Sequence, residues 1–107
     1  MVLIEKSFKE LSKMTEEVAN KFFFARKALL VLNSNDIIKK YDLPYQAYLI
    51  KVEKAYSLLN EKQQNLINNE FFYQNYQYWW VGLYSKANFY RLKKITMLKF
   101  LEGIYHA

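Results

Sequence analysis

An all-α fold, a small bundle of five or six helices, is what this sequence predicts, and three observations carry the prediction. Proline occurs once and glycine twice, which removes the usual material of tight turns and the punctuation of a strand-rich chain. Apolar residues recur at three- and four-residue steps along most of the chain, the period of a helix face rather than the alternation of a strand. A hydrophobic fraction of 52%, with 19% aromatic residues in 107, is ample to bury one core in a chain of one domain's length. Residues 1–107 therefore read as a single helical domain, with 1–56 as supporting helices and 57–105 as a half with a layout of its own.

The first element runs from about Leu3 to Leu32, where Leu3, Phe8, Leu11, Met14 or Thr15, Val18, Phe22, Ala25, Leu29 and Leu32 keep close to a helical period. It is one long helix or two in line, because Thr15-Glu16-Glu17 has the character of a second start and allows a break near Met14. Within it "FFFARKALLVL" is apolar almost all round and is expected to be the most buried piece. Short polar side chains in "NSND" at 33–36 stop that helix, and Asp36 caps a short one through Tyr41. Pro44 suits a first helical turn, where its missing N–H is no loss. The helix it opens carries Tyr48, Val52, Ala55, Leu58 and Leu59 on one side and ends at Asn60.

Asn60 and Gln63 then have the spacing of a capping box. They open a helix over about 61–72, followed by a turn near Gln74 and Asn75, a short helix over about 76–83 and a turn at Leu83 and Tyr84. Gly82 is available there for a backbone position with positive φ. Ser85 opens the final helix, with no breaker until Gly103. Along it Phe89, Leu92, Thr96 and Phe100 share the side that would face the core, while Lys86, Asn88, Arg91 and Lys94 mostly point elsewhere. Lys93 falls near the Phe100 side and Leu98 near Arg91, so the far half of this helix needs cover from another element.

Composition excludes much chemistry. The chain has no cysteine, and its one histidine, His106, is too little for a histidine-based metal centre or relay. The acids Glu16, Glu17, Asp36, Asp42 and Glu53 are scattered without metal-ligand spacing, and two glycines cannot build a phosphate loop. The expectation is a protein that is not an enzyme and needs no cofactor. Glu5, Lys6, Lys9 and Glu10 interrupt the N-terminal stretch where a signal peptide would be apolar, and no window approaches a membrane span. A cytoplasmic protein with no membrane partner is expected.

The net charge of +6 is unevenly placed. Residues 1–32 hold six bases against four acids and residues 33–84 five against five, whereas residues 85–107 hold Lys86, Arg91, Lys93, Lys94 and Lys99 against Glu102 alone. Lysine outnumbers arginine fourteen to two beside abundant asparagine, tyrosine and isoleucine, so some of the charge reflects an AT-rich coding sequence. A local basic excess favours a polyanion, because each cation that neutralises a phosphate also releases condensed counterions. A plain solvated face is the alternative.

Two helices joined by a few residues, the second capped by serine and basic on its exposed positions, make the layout of a helix-turn-helix. "LLNEKQQNLINNEFF" followed by "YWWVGLYSKANFYRLKKITMLKFLEGI" resembles the C-terminal half of the ArpU-type phage transcriptional regulators and, more distantly, region four of sigma factors. Leu59, Asn60, Glu61 and Gln63 match the opening of the first helix, and Ser85, Phe89, Tyr90, Arg91, Leu92 and Lys93 match a serine-led recognition helix. The resemblance covers about residues 57–104. Asn88 departs from it by standing in place of threonine, and "YQYWW" by replacing the smaller residues common before a recognition helix.

The resemblance implies a DNA-binding transcriptional regulator that reads duplex DNA, with RNA polymerase as a candidate further partner. Ser85, Lys86, Asn88, Tyr90, Arg91 and Lys94 are the candidate DNA contacts. Lys86, Arg91 and Lys94 would hold phosphates, Asn88 would bond adenine or finish the cap begun by Ser85, and Tyr90 would reach a phosphate or pack on the N-terminal helix. Trp79, Trp80, Tyr76 and Tyr78 read as a packing wedge between helices, with base stacking as the other use. The second functional class is a helical protein–protein adaptor without DNA contact, bound to RNA polymerase or to a second copy of itself through the apolar surplus of the "FFF" and "YWW" runs.

Overall fold

The computed structural model describes residues 3–35, 43–74 and 77–105, and among them the fold is all-α, with no strand beyond an isolated bridge. A 3-10 turn at Leu3–Glu5 precedes α1, Phe8–Asn35; α2 spans Leu43–Ser57; α3 spans Glu61–Ile67 and continues as a π turn, Asn68–Phe72; and α4 spans Lys86–Tyr105. Four α-helices are described where five or six were expected. The short helix expected from Asp36 to Tyr41 lies outside the described residues.

Local sequence sets the helix starts. Ser7 and Glu10 form a reciprocal cap at the start of α1, the Glu10 N–H donating to Ser7 Oγ at 3.1 Å and the Ser7 N–H to Glu10 Oε1 at 3.2 Å. Asn60 and Gln63 form the expected capping box of α3 at 2.9 and 3.0 Å. At Thr15 α1 is unbroken, which decides between the two alternatives for one long helix. The Thr15 side chain is fully buried, and its hydroxyl donates to the Leu11 carbonyl at 2.8 Å, so it serves the helix interior rather than a cap.

The three long helices pack on one another around a core that includes Leu11, Val18, Val52, Ala55, Met97, Phe100, Leu101 and Ile104. α2 and α4 approach closely at Gly103, where a Cβ would stand 2.8 Å from the Ala55 Cβ. Gly103 was expected to act as a breaker, yet α4 runs past it to Tyr105. The glycine is there for the approach of a neighbour, and buried packing outweighs its helix penalty of about 1 kcal/mol. The π turn brings Phe71 into the core and sets Phe72 against Phe22, Phe23, Tyr56 and Phe100, with ring centroids 5.4–6.4 Å apart and nearly perpendicular planes.

The "FFFARKALLVL" run is not the most buried piece. Ala25 is buried and Phe22 and Phe23 half-buried, but Phe24, Leu30 and Val31 are 63%, 72% and 60% exposed. At 28 residues α1 is far longer than the 15 of α2 and the 20 of α4. Among the described residues its distal end outlasts the helices that cover it.

Candidate nucleic-acid interface

Ser85 opens α4 as its sequence implies, its Oγ accepting the Asn88 backbone N–H at 3.2 Å. One face of the helix is then buried: Phe89, Thr96, Met97, Phe100, Leu101 and Ile104 are covered by α1, α2 and α3. The expected core positions Phe89, Thr96 and Phe100 are all among them, and Leu92 is half-buried. Ser85, Lys86, Asn88, Tyr90, Arg91 and Lys94 are all exposed, so the structure brings the six candidate contacts together on the first turns of one helix.

Their arrangement follows from helix geometry. Lys86, Tyr90 and Lys94 are spaced by four and form one row, while Asn88 and Arg91 form a second row that Lys94 adjoins at a spacing of three. The Asn88 side chain neither completes the cap nor stands alone. Its Oδ1 accepts from an Arg91 guanidinium nitrogen at 3.0 Å, which orients that cation and leaves the Asn88 amide N–H groups as donors. Tyr90 leans toward the start of α1, its ring 5.5 Å from that of Phe8 and at 67° to it, while staying 42% exposed.

The approach to α4 differs from expectation. Residues 77–84 form successive turns closed by a bridge between Val81 and Tyr84, with no helix among the described residues. Gly82 takes a φ of +92° there, as expected of a turn glycine. The reason is visible in the two tryptophans. Successive residues of a helix diverge by about 100°, whereas here both indoles meet Phe89: Trp80 stacks on it with centroids 4.4 Å apart and planes at 8°, and Trp79 meets it edge-on at 5.9 Å. Both tryptophans are half-buried, in keeping with a packing wedge, while Tyr78 is 60% exposed.

An ion pair that was not anticipated lies behind this loop. Lys93 donates to Glu70 Oε1 at 2.8 Å, and the Trp79 indole N–H donates to Glu70 Oε2 at 2.9 Å. Both charged side chains are only 14% exposed, and the Lys93 ammonium sits 5.5 and 5.3 Å from the ring centroids of Phe8 and Phe71. Its position on the buried side of α4 was the available signal, since a cation there demands a partner. Nothing local named Glu70. With Lys93 neutralised in this way, Lys86, Arg91 and Lys94 remain as the exposed cations of this half of the helix.

Between the loop and α4 lies an open cleft of about 400 Å³, walled by Tyr78, Trp80, Phe89 and Tyr90 and reaching Glu70 and Lys93. Among the described residues no group of acids, histidines or cysteines could hold a metal ion, and no helix is long and apolar enough to cross a membrane. In comparisons with family models, curated proteins and solved structures, nothing matches this chain.

Proposed function

We propose that this protein binds duplex DNA through the N-terminal half of α4 and acts as a transcriptional regulator in the cytoplasm. In this reading α3 with its π turn supports α4 as the first helix of a helix-turn-helix supports the second, and α4 enters the major groove. The observation that carries the reading is the segregation of α4: its apolar side is buried while Lys86, Asn88, Tyr90, Arg91 and Lys94 are all exposed on its opening turns. Glu70, an acid beside them, is already held by Lys93 and Trp79. Lys86, Arg91 and Lys94 would take phosphates, and the Asn88 amide would donate to a base edge.

Titration of a labelled duplex at low and moderate salt tests this. Three phosphate contacts should make log affinity fall against log salt with a slope of about 2.7, and Lys94→Ala should lower that slope by about one. Duplex binding that is absent or indifferent to salt removes the proposal.

A second reading is favoured by a different observation. Phe24, Leu30 and Val31 on α1 and Ile50 on α2 are all at least 60% exposed, an apolar surplus suited to a protein–protein adaptor that pairs with itself or with RNA polymerase. Sedimentation equilibrium at micromolar concentration distinguishes a self-associating chain from a monomer. Neither reading calls for catalysis or a cofactor.

A further inference from the structure

We propose that the cleft between residues 77–84 and α4 is a binding site for an unpaired nucleobase. This extends the reading of α4 as a nucleic-acid surface, and the two can fail separately.

Three features of the cleft point to a base. One side of it is aromatic, and the rest carries the amides of Asn69, Gln74 and Gln77. Trp80 has one face covered by Phe89, and the Tyr78 and Tyr90 rings stand at 66° and 61° to it with centroids 6.5 and 6.4 Å away. A flat ring entering from solvent meets Trp80, which Phe89 already holds from behind, so little order is lost on binding to that ring. The volume, about 400 Å³, lies within the range of small-ligand sites and is open enough for a base to remain attached to its sugar.

The depth of the cleft supplies the polar contacts. Lys93 and Glu70 are side by side there, only 14% exposed among rings, where two charges are expensive to keep and an apolar pair would pack as well. A lysine ammonium has three N–H groups and Glu70 takes one; each Glu70 oxygen accepts a single donor and retains a lone pair. The site therefore offers a donor beside an acceptor. The Watson–Crick edge of every nucleobase carries the complementary arrangement, and in a duplex that edge is occupied. An unpaired base is the form that fits. Lys86 and Lys94 lie one helical turn to either side of Tyr90, within reach of phosphates flanking a base so held.

The base can come from a single strand or from a free nucleotide, and emission from Trp79 and Trp80, the chain's two tryptophans, separates the sources. The full chain is titrated with a single-stranded oligonucleotide, with the duplex of the same sequence and with a mononucleotide. The single strand is expected to quench the emission and to bind at least about tenfold more tightly than the duplex. Tyr78→Ala, a change at an exposed position that leaves the helical circular dichroism intact, is expected to weaken strand binding about tenfold and leave duplex binding unchanged. Quenching by the mononucleotide at the same concentrations as the strand identifies a free nucleotide as the ligand. Equal affinity for strand and duplex, with Tyr78→Ala neutral and emission unmoved, overturns the base site and leaves the reading of α4 standing. Failure of all three ligands to bind overturns both.

Discussion

α4 and the closing half of α1 are both helical and rich in apolar and basic residues, yet they present different surfaces. On α4 Phe89, Met97 and Phe100 are covered and Lys86, Arg91 and Lys94 face solvent, with Ile95 the aliphatic side chain left 51% exposed beside them. On α1 the charged Arg26 and Lys27 are exposed, but so are Phe24, Leu30 and Val31. Helix content and composition do not separate the two. α4 is flanked by α1, α2 and α3, so its apolar side finds cover, whereas α1 runs on beyond its described neighbours. Amphipathic segments acquire a charged or an apolar surface according to what lies beside them, and here the charged end suits a polyanion while the apolar end suits another protein.

Truncating one apolar residue at each end puts the contrast to its hardest test. Phe100→Ala, at a fully buried position, should lower stability by about 3–5 kcal/mol in a urea titration. Leu30→Ala should stay within about 0.5 kcal/mol. A large, concentration-dependent effect of Leu30→Ala would mean that a second copy covers the distal half of α1.

At the covered end the Glu70–Lys93 pair comes next in size. Glu70→Ala strands the Lys93 charge and the Trp79 N–H together, and should destabilise by about 3 kcal/mol. The double replacement Glu70→Met with Lys93→Met should recover most of that in the same titration, because no charge is then left unpaired.

Gly103→Ala tests the closeness of α2 and α4 directly. Its new methyl would meet Ala55 at 2.8 Å, and overpacking should cost about 1–3 kcal/mol although alanine is the better helix former. A gain in thermal midpoint would show that the two helices can move apart. Thr96→Val should act in the opposite direction, raising stability by about 1 kcal/mol, since the Thr96 hydroxyl is buried without a hydrogen-bond partner among the described residues.

The smallest effect lies between α1 and α2. Tyr48 on α2 donates its hydroxyl to the Val18 carbonyl of α1 at 3.3 Å, and burial, with a contribution from Tyr105, pushes its phenol up to about 12. In the unfolded chain the phenol ionises near about pH 10, so between those values the folded state binds more protons. The contribution is therefore complete below about pH 10 and lost as pH rises through about 12. Denaturation midpoints should fall between about pH 10 and about pH 12, and fall less in Tyr48→Phe.

The starts of α3 and α4 were legible in the sequence because each is decided within a few residues, whereas the first helix was expected from about Leu3 and the last was expected to meet a breaker at Gly103. Asn60 with Gln63, and Ser85 with the Asn88 N–H, close their hydrogen bonds over three positions, and so does the Ser7–Glu10 pair, whose spacing was there to be read. The buried side of α4 was legible for the same reason, since a helical period places Phe89, Thr96 and Phe100 together whatever they meet. The partners of those faces were decided only by tertiary structure. Glu70 reaches Lys93 across 23 positions, both tryptophans abandon helical geometry to pack on Phe89, Gly103 answers to Ala55, and Leu30 is exposed where α1 outruns the described helices beside it. A cap closes within one turn of chain, but the cover over a face depends on which element lies alongside and how far it extends.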